Sequence, residues 1–220
     1  MPRQTYDAGL KNIRADIIQM GELASRMFDL YMRMFERGEM DAIPRLDEME
    51  KLQDLIEETV EETATRLITL QSPVSKDTRE VICAVRIATN WRKISSHITD
   101  TAEFIEAYSR KTRMDETMDA KEKETLECIT AAAYEMIIGA AAAYADRDTE
   151  KALRIAESDD IIDAIYGKIR ASLTGHDRDS CNISLCSLVV AEHLERIGDH
   201  AANVCEEVIY LEKCEMVKLN

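Results

Sequence analysis

The sequence predicts an all-α protein: two tandem repeats of a three-helix bundle, six long helices in all. Three observations carry that prediction. Only 7 Gly and 3 Pro interrupt 220 residues, and Ala, Leu, Ile, Met, Glu, Lys and Arg, which cost least in a helix, dominate the rest. No stretch alternates apolar and polar residues over a useful length, as a half-buried strand would. Finally, Trp91, Ile94 and His97 return as Leu194, Ile197 and His200 at an offset of 103, while Glu50, Asp54 and Ile56 return as Asp159, Asp163 and Ile165 at 109. A turn between the two segments absorbs the difference. The expected domains are residues 1–110 and 111–220, each a repeat too small to be comfortable alone and therefore packed against its copy.

The first helix is expected from about Tyr6 to Glu36, because Ile13, Ile17, Met20, Leu23, Met27, Leu30 and Met34 step by threes and fours. Gly38 supplies its stop. The second runs from about Met40 to Leu70 with Leu52, Leu55, Ile56, Val60 and Leu67 on one face, and Pro73 breaks it. Ser75 opens a third that carries Val81, Ile82, Val85, Ile87, Ala88, Trp91 and Ile94 to about Tyr108. The cluster Ser109-Arg110-Lys111-Thr112-Arg113 has no apolar content and marks the midpoint. A fourth helix reaches about Tyr144, and Asp148 caps a fifth that runs to about Leu173. Thr174-Gly175-His176-Asp177 reads as a turn before the last helix, about Asp179 to Leu211.

A formal charge of −15 argues against nucleic acid, which needs a clustered basic surface, and against anionic membranes. The most apolar run, Ala131 to Ala145, contains Glu135 and is too short to cross a bilayer. The N-terminus, Met1 to Asp7, lacks the apolar stretch of a signal peptide. The six cysteines show no CxxC pair, and most fit a buried helical face, so they are expected as reduced core thiols. A cytoplasmic protein without membrane insertion is the expectation. There is no Gly-rich phosphate loop, no G-x-S-x-G and no Cys/His arrangement. Nor does Glu stand three residues before any of the four histidines, as ferritin-like di-iron bundles require. An enzyme is not expected.

Glu195 and Asp199 stand four apart in the last helix, where like charges repel by a few tenths of a kcal/mol. With Glu192, Asn203 and Glu206 they form one polar stripe; Leu185, Leu188, Leu194, Ile197, Ala201, Val204 and Val208 form the opposite one. Arg196 lies off the polar stripe and is read as poorly placed to neutralise the pair. The fifth helix adds Asp159 and Asp163, again i, i+4, with Asp160 alongside. Two helices each offering paired carboxylates suit hard or borderline cations such as Mg, Mn, Fe or Ca. A solvated acidic face is the plainer reading of such stripes. His200 follows Asp199 and His193 lies two turns before it, so both could join such a site, although a lone histidine on a mostly polar face is more often just solvated. In the first half Glu50 and Asp54 are the counterparts of Asp159 and Asp163, but Arg92 and Ser96 stand where Glu195 and Asp199 do. A guanidinium there would replace a metal with an internal ion pair, so that site is expected to be weak or absent.

These residues resemble the PhoU family of phosphate-uptake regulators over essentially the full length. The resemblance is carried by Asp16-Ile17-Ile18-Gln19-Met20-Gly21-Glu22-Leu23, by Leu70 to Arg79, by Asp159 to Tyr166, and most specifically by Glu195-Arg196-Ile197-Gly198-Asp199-His200-Ala201-Ala202-Asn203 with Glu206 to Leu211. It implies two three-helix repeats whose E/D-x-x-x-D motifs hold multinuclear metal clusters in some members. It also implies an accessory protein that couples the phosphate ABC transporter, through its ATPase subunit, to a sensor histidine kinase and keeps the starvation response off. Homodimers are implied as well. With the first-half motif lost, a single site is expected from Asp159 or Asp160, Asp163, Glu195 and Asp199, with Glu50, Asp54, Asn203 and His200 as weaker candidates. Its ion would be a divalent or trivalent metal: Fe, Mn, Mg or Zn. Glu192 and His193 replace residues expected to be basic and aromatic, which makes the local surface more acidic. Alternatives are a metal-binding or storage protein, a regulator of a different transporter, or an inert scaffold.

Overall fold

The computed structural model describes residues 2–71, 75–111, 120–173 and 185–214. The described residues are almost entirely helical: α1 (Pro2–Arg37), α2 (Ile43–Gln71), α3 (Ser75–Lys111), α4 (Ala120–Asp146), α5 (Thr149–Glu157), α6 (Asp159–Leu173) and α7 (Leu185–Lys213), with one 3-10 turn at Met40–Ala42. The expected break at Pro73, the turn at Thr174–Asp177 and the start of the last helix lie outside the described residues, as does part of the midpoint cluster.

Local chemistry explains the boundaries. The stop of α1 is Gly38, at φ +67, a conformation that costs an L side chain about 1–2 kcal/mol but glycine nothing. The Gly38 amide closes back on the Met34 carbonyl at 2.9 Å. Arg147, at φ 54, occupies the matching place after α4, 109 residues on. Asp148 caps α5, its side chain accepting from the Glu150 and Lys151 amides at 3.0 and 2.9 Å, and those bonds hold its carboxyl below the usual range. The single fifth helix expected from sequence is two. It breaks at Ser158, whose hydroxyl donates to the Ile155 carbonyl at 2.6 Å and whose own carbonyl starts α6.

Helices α1, α2 and α3 form one bundle, and α4, α5–α6 and α7 the other. Their most extensive contact is α3 against α7, with α1 against α4 beside it. The α3–α7 pair is antiparallel, since Arg86 meets Glu207, Asn90 meets His200 and His97 meets His193. One apolar core runs through both repeats, with Phe28, Tyr31, Trp91, Ile94 and Ile98 fully buried alongside Met136, Ile137, Leu194 and Ile197. Gly21 lets α1 approach this seam, because a Cβ there would meet Ala141 and Trp91 at 3.1 and 3.2 Å.

Three packing expectations need correction. Leu52 and Leu55 are 38% and 58% exposed, and buried Gln53 takes the place between them, donating to the Met20 carbonyl at 2.9 Å. The core face of α2 is instead Leu46, Ile56, Val60, Ala64 and Leu67. Leu185, at the first turn of α7, is exposed and so is Ile82 on α3. Among the cysteines, Cys83, Cys186 and Cys205 are buried free thiols, whereas Cys128 and Cys214 are free and exposed. The apolar α4 is long and apolar enough to cross a membrane by composition, but half of its most apolar window is buried in the core.

Candidate functional site

The break at Ser158 decides how the acidic residues are arranged. Asp159, the first residue of α6, is 2% exposed and lies against α7. It explains the glycine of the last motif: a Cβ on Gly198 would meet Asp159 Oδ1 at 2.5 Å and Ile162 Cδ1 at 3.0 Å. One turn later Asp163 stands exposed, as does Asp160. Glu195 and Asp199 are part-buried on α7, and Asn203 follows on the same face.

Electrostatics tie Asp163 to the α7 pair. Burial first, then Asp199, Asp163 and Glu192, hold the Glu195 carboxyl above its ordinary range, with Arg196 opposing. Burial likewise raises Asp199, with Asp163 adding and Arg196 opposing. The structure therefore brings Glu195, Asp199 and Asp163 within one another's fields and places Asp159 beneath them against Gly198. Arg196 is not off the pair: its Nε lies 3.4 Å from Glu195 Oε2 and its Nη1 3.1 Å from Asp199 Oδ2. Helical spacing put residue 196 to one side, but a long flexible side chain folds back across its own turn. At 52% exposure its head reaches solvent.

In the first repeat the same frame is closed. Arg92 Nε lies 2.9 Å from Glu57 and its Nη1 3.8 Å from Asp54, while the Ser96 hydroxyl donates to Glu50 Oε1 at 2.6 Å. Glu57 was the member that sequence reasoning did not name.

Reasoning from sequence considers His193 and His200 beside the acidic stripe but misses that His97 meets them from the other repeat. His97, His193 and His200 are half-buried together at the α3–α7 seam. The rings of His97 and His193 lie 5.4 Å apart, and those of His97 and His200 stack at 5.7 Å. His97 and His193 meet through their Nδ1 atoms at 3.2 Å, and His200 Nδ1 meets Asn90 Oδ1 at 3.0 Å. Burial, and then the neighbouring ring of His193, push the His97 imidazole down, with Asp100 opposing. Burial, followed by His97, Lys93 and Arg196, takes His200 to about 4. Neutral imidazoles at neutral pH are the consequence. Neither His193 nor His200 is a lone solvated histidine, because both face the other repeat.

Comparison with known proteins agrees with this architecture. A family model described as "PhoU domain" matches the chain twice, over residues 17–105 and 126–208. The phosphate-specific transport system accessory protein PhoU homolog of Clostridium acetobutylicum is 27% identical over all of both chains. Its counterpart from Zymomonas mobilis is 30% identical over 94% of this chain and 86% of its own. The crystal structure of PhoU from Pseudomonas aeruginosa superposes with a TM-score of 0.83 at 21% identity, covering 96% of this chain and 100% of that one. With two PhoU domains filling most of its length, the chain belongs to the PhoU family.

Proposed function

We propose that this protein is a non-enzymatic regulatory accessory of phosphate uptake. It reads the state of the phosphate ABC transporter through its ATPase subunit and restrains the sensor histidine kinase of the starvation response while phosphate is plentiful. The observation that carries this reading is the pair of PhoU domains spanning both repeats, together with relatives named as phosphate-specific transport system accessory proteins. The test is deletion of the gene from its host. High-affinity phosphate transporter expression should then stay on in phosphate-rich medium and return to normal on complementation. Unchanged expression in both rich and poor medium would refute the assignment.

The reading includes a structural or sensory metal on the second repeat. Residues Glu195, Asp199 and Asp163 fit one: they are oxygen donors, Asp199 and Asp163 help to raise the Glu195 carboxyl and Asp163 helps to raise Asp199, and a cation relieves that repulsion. Glu195 Oε2 is buried with the half-exposed Arg196 head beside it, so Arg196 is the competitor a metal would displace. Bound there, an Fe, Mn, Mg or Zn ion would supply charge that links α6 to α7. Protein purified without tag or chelator should carry stoichiometric metal at this site, and Glu195→Ala/Asp199→Ala should carry one equivalent less than wild type. Retention of that metal by the double variant would place it elsewhere.

A further inference from the structure

We propose that His97, Asp100 and His193 form a transition-metal site that clamps the two repeats together at the α3–α7 seam, separate from the carboxylates of Glu195 and Asp199. One ligand atom from each of the three lies within 4.8 Å of the other two. His97 and Asp100 are three residues apart on α3 and so share a face, while His193 arrives from α7. The Nδ1 atoms of the two histidines are 3.2 Å apart. Two nitrogens each about 2.0–2.1 Å from a tetrahedral zinc are separated by about 3.3 Å. The spacing is thus the one that two zinc-bound imidazole nitrogens take, and an ion there would replace the hydrogen bond that the two rings now share.

The duplication supplies a second, independent argument. At the offset of 103 that relates the repeats, His97 becomes His200, Asp100 becomes Asn203, and His193 is the counterpart of Asn90. The fold places the sister pair together too, for His200 meets Asn90 just as His97 meets His193. An antiparallel seam between two copies generates each contact twice. One of the two positions carries two imidazoles and a carboxylate; the other carries the amide of Asn203 and the His200 imidazole, which meets the Asn90 amide. Only the first is a metal-binding set.

The donors select the ion. Two imidazoles with one carboxylate suit zinc, ferrous iron, cobalt or nickel; magnesium and calcium take oxygen ligands. Lys93 and Arg196 act on His97 alongside Asp100, so the local field does not favour a cation held by charge alone. Affinity must come from nitrogen coordination.

The test titrates Co2+ into full-length protein freed of metal by chelator, reading the visible absorption of nitrogen-ligated cobalt, with Zn2+ as competitor. In wild type the nitrogen-ligated band should correspond to one bound cobalt, beside any ion the carboxylates take. Asp100→Asn and His193→Asn should each weaken binding by at least about tenfold. His200→Asn, which removes the sister histidine, and Glu195→Gln/Asp199→Asn should leave it unchanged. Circular dichroism checks each fold, and because Asp100 is exposed, Asp100→Asn decides the matter even if His193→Asn misfolds. The proposal is overturned by absence of the nitrogen-ligated band in wild type, by its persistence in Asp100→Asn, or by its loss in either His200→Asn or Glu195→Gln/Asp199→Asn. None of these outcomes depends on the phosphate-response phenotype, so the two readings fail separately.

Discussion

Replacing Gly198 by Ala sets two known effects against each other at the centre of the last motif. In an exposed helix interior the change relieves glycine's entropic cost and stabilises by about 0.5–1 kcal/mol. At Gly198 the new methyl has no room, since Asp159 Oδ1 would stand 2.5 Å away and Ile162 Cδ1 3.0 Å. Both belong to the first turn of α6, beside the break at Ser158, and Asp159 is buried. Relief requires shifting α6 away from α7 or forcing the Asp159 carboxylate off its rotamer. Overpacking of this kind costs about 1–3 kcal/mol. After subtracting the propensity gain, the net destabilisation is about 0–2.5 kcal/mol, which for a chain of this size is a Tm fall of up to about 10 °C. Gly167, on the same helix α6, has nothing within 4 Å of its absent Cβ. Gly167→Ala should therefore raise Tm by about 1–4 °C. Differential scanning calorimetry on both variants gives the comparison. The steric cause is isolated in an Asp159→Ala background, where Gly198→Ala should lose its penalty and become neutral or stabilising. Equal Tm gains for Gly198→Ala and Gly167→Ala would refute the account of the motif's glycine, and so would a penalty that survives removal of the Asp159 carboxylate.

Three further outcomes follow from single contacts. Arg147 is held at φ 54 while its guanidinium bridges Glu80 of α3 and Glu212 of α7; Arg147→Ala keeps the backbone cost and loses the bridge, so Arg147→Gly should be the more stable of the two by about 1 kcal/mol in urea unfolding. Gln53 is fully buried with Nε2 on the Met20 carbonyl and Oε1 unpartnered; Gln53→Leu should change stability by less than about 1 kcal/mol, whereas Gln53→Ala, which also leaves a cavity, should cost about 2 kcal/mol or more. Tyr134 donates to Asp29 at 2.6 Å, and that bond, more than burial, takes its hydroxyl to about 12. The folded state therefore keeps a proton that the unfolded chain releases near pH 10, and stability falls as pH rises between about 10 and 12; thermal unfolding of Tyr134→Phe should show a shallower alkaline decline than wild type.

What could be read from the chain was local. Gly38 and Asp148 announce themselves because one residue type suits a left-handed stop and another a cap, whatever surrounds them. The Ser158 break had a similar signature, a hydroxyl residue followed by two aspartates, but the helical pattern on either side outweighed it. Arg92 was placed correctly because a buried geometry was not needed, only a cation where the other repeat has Glu195. Arg196 was misplaced because backbone periodicity fixes where a Cβ points, not where six further atoms of side chain end.

The histidines belong to another category. No window of sequence places His97 beside His193, since they are 96 residues apart and joined only by the antiparallel crossing of α3 and α7. The repeat offset was visible; the axis relating the repeats was not. Once that axis is known, the two copies can be compared site by site, and the same pattern appears twice. At the α2–α3 and α6–α7 positions, the carboxylates of one repeat meet only a half-exposed arginine of their own helix, Arg196, while Arg92 and Ser96 reach across from α3 to those of the other. At the seam, two imidazoles and a carboxylate occupy one position, and one imidazole with two amides the other. Frame residues such as Trp91, Ile94, Leu194 and Ile197 stay apolar and buried in both copies. Divergence has thus fallen on donor atoms and spared the packing. That separation is physically reasonable, because a half-exposed donor can change at a cost below about 1 kcal/mol while a truncated core side chain costs several. A duplicated bundle can therefore give up one ligand set of each pair and keep its fold.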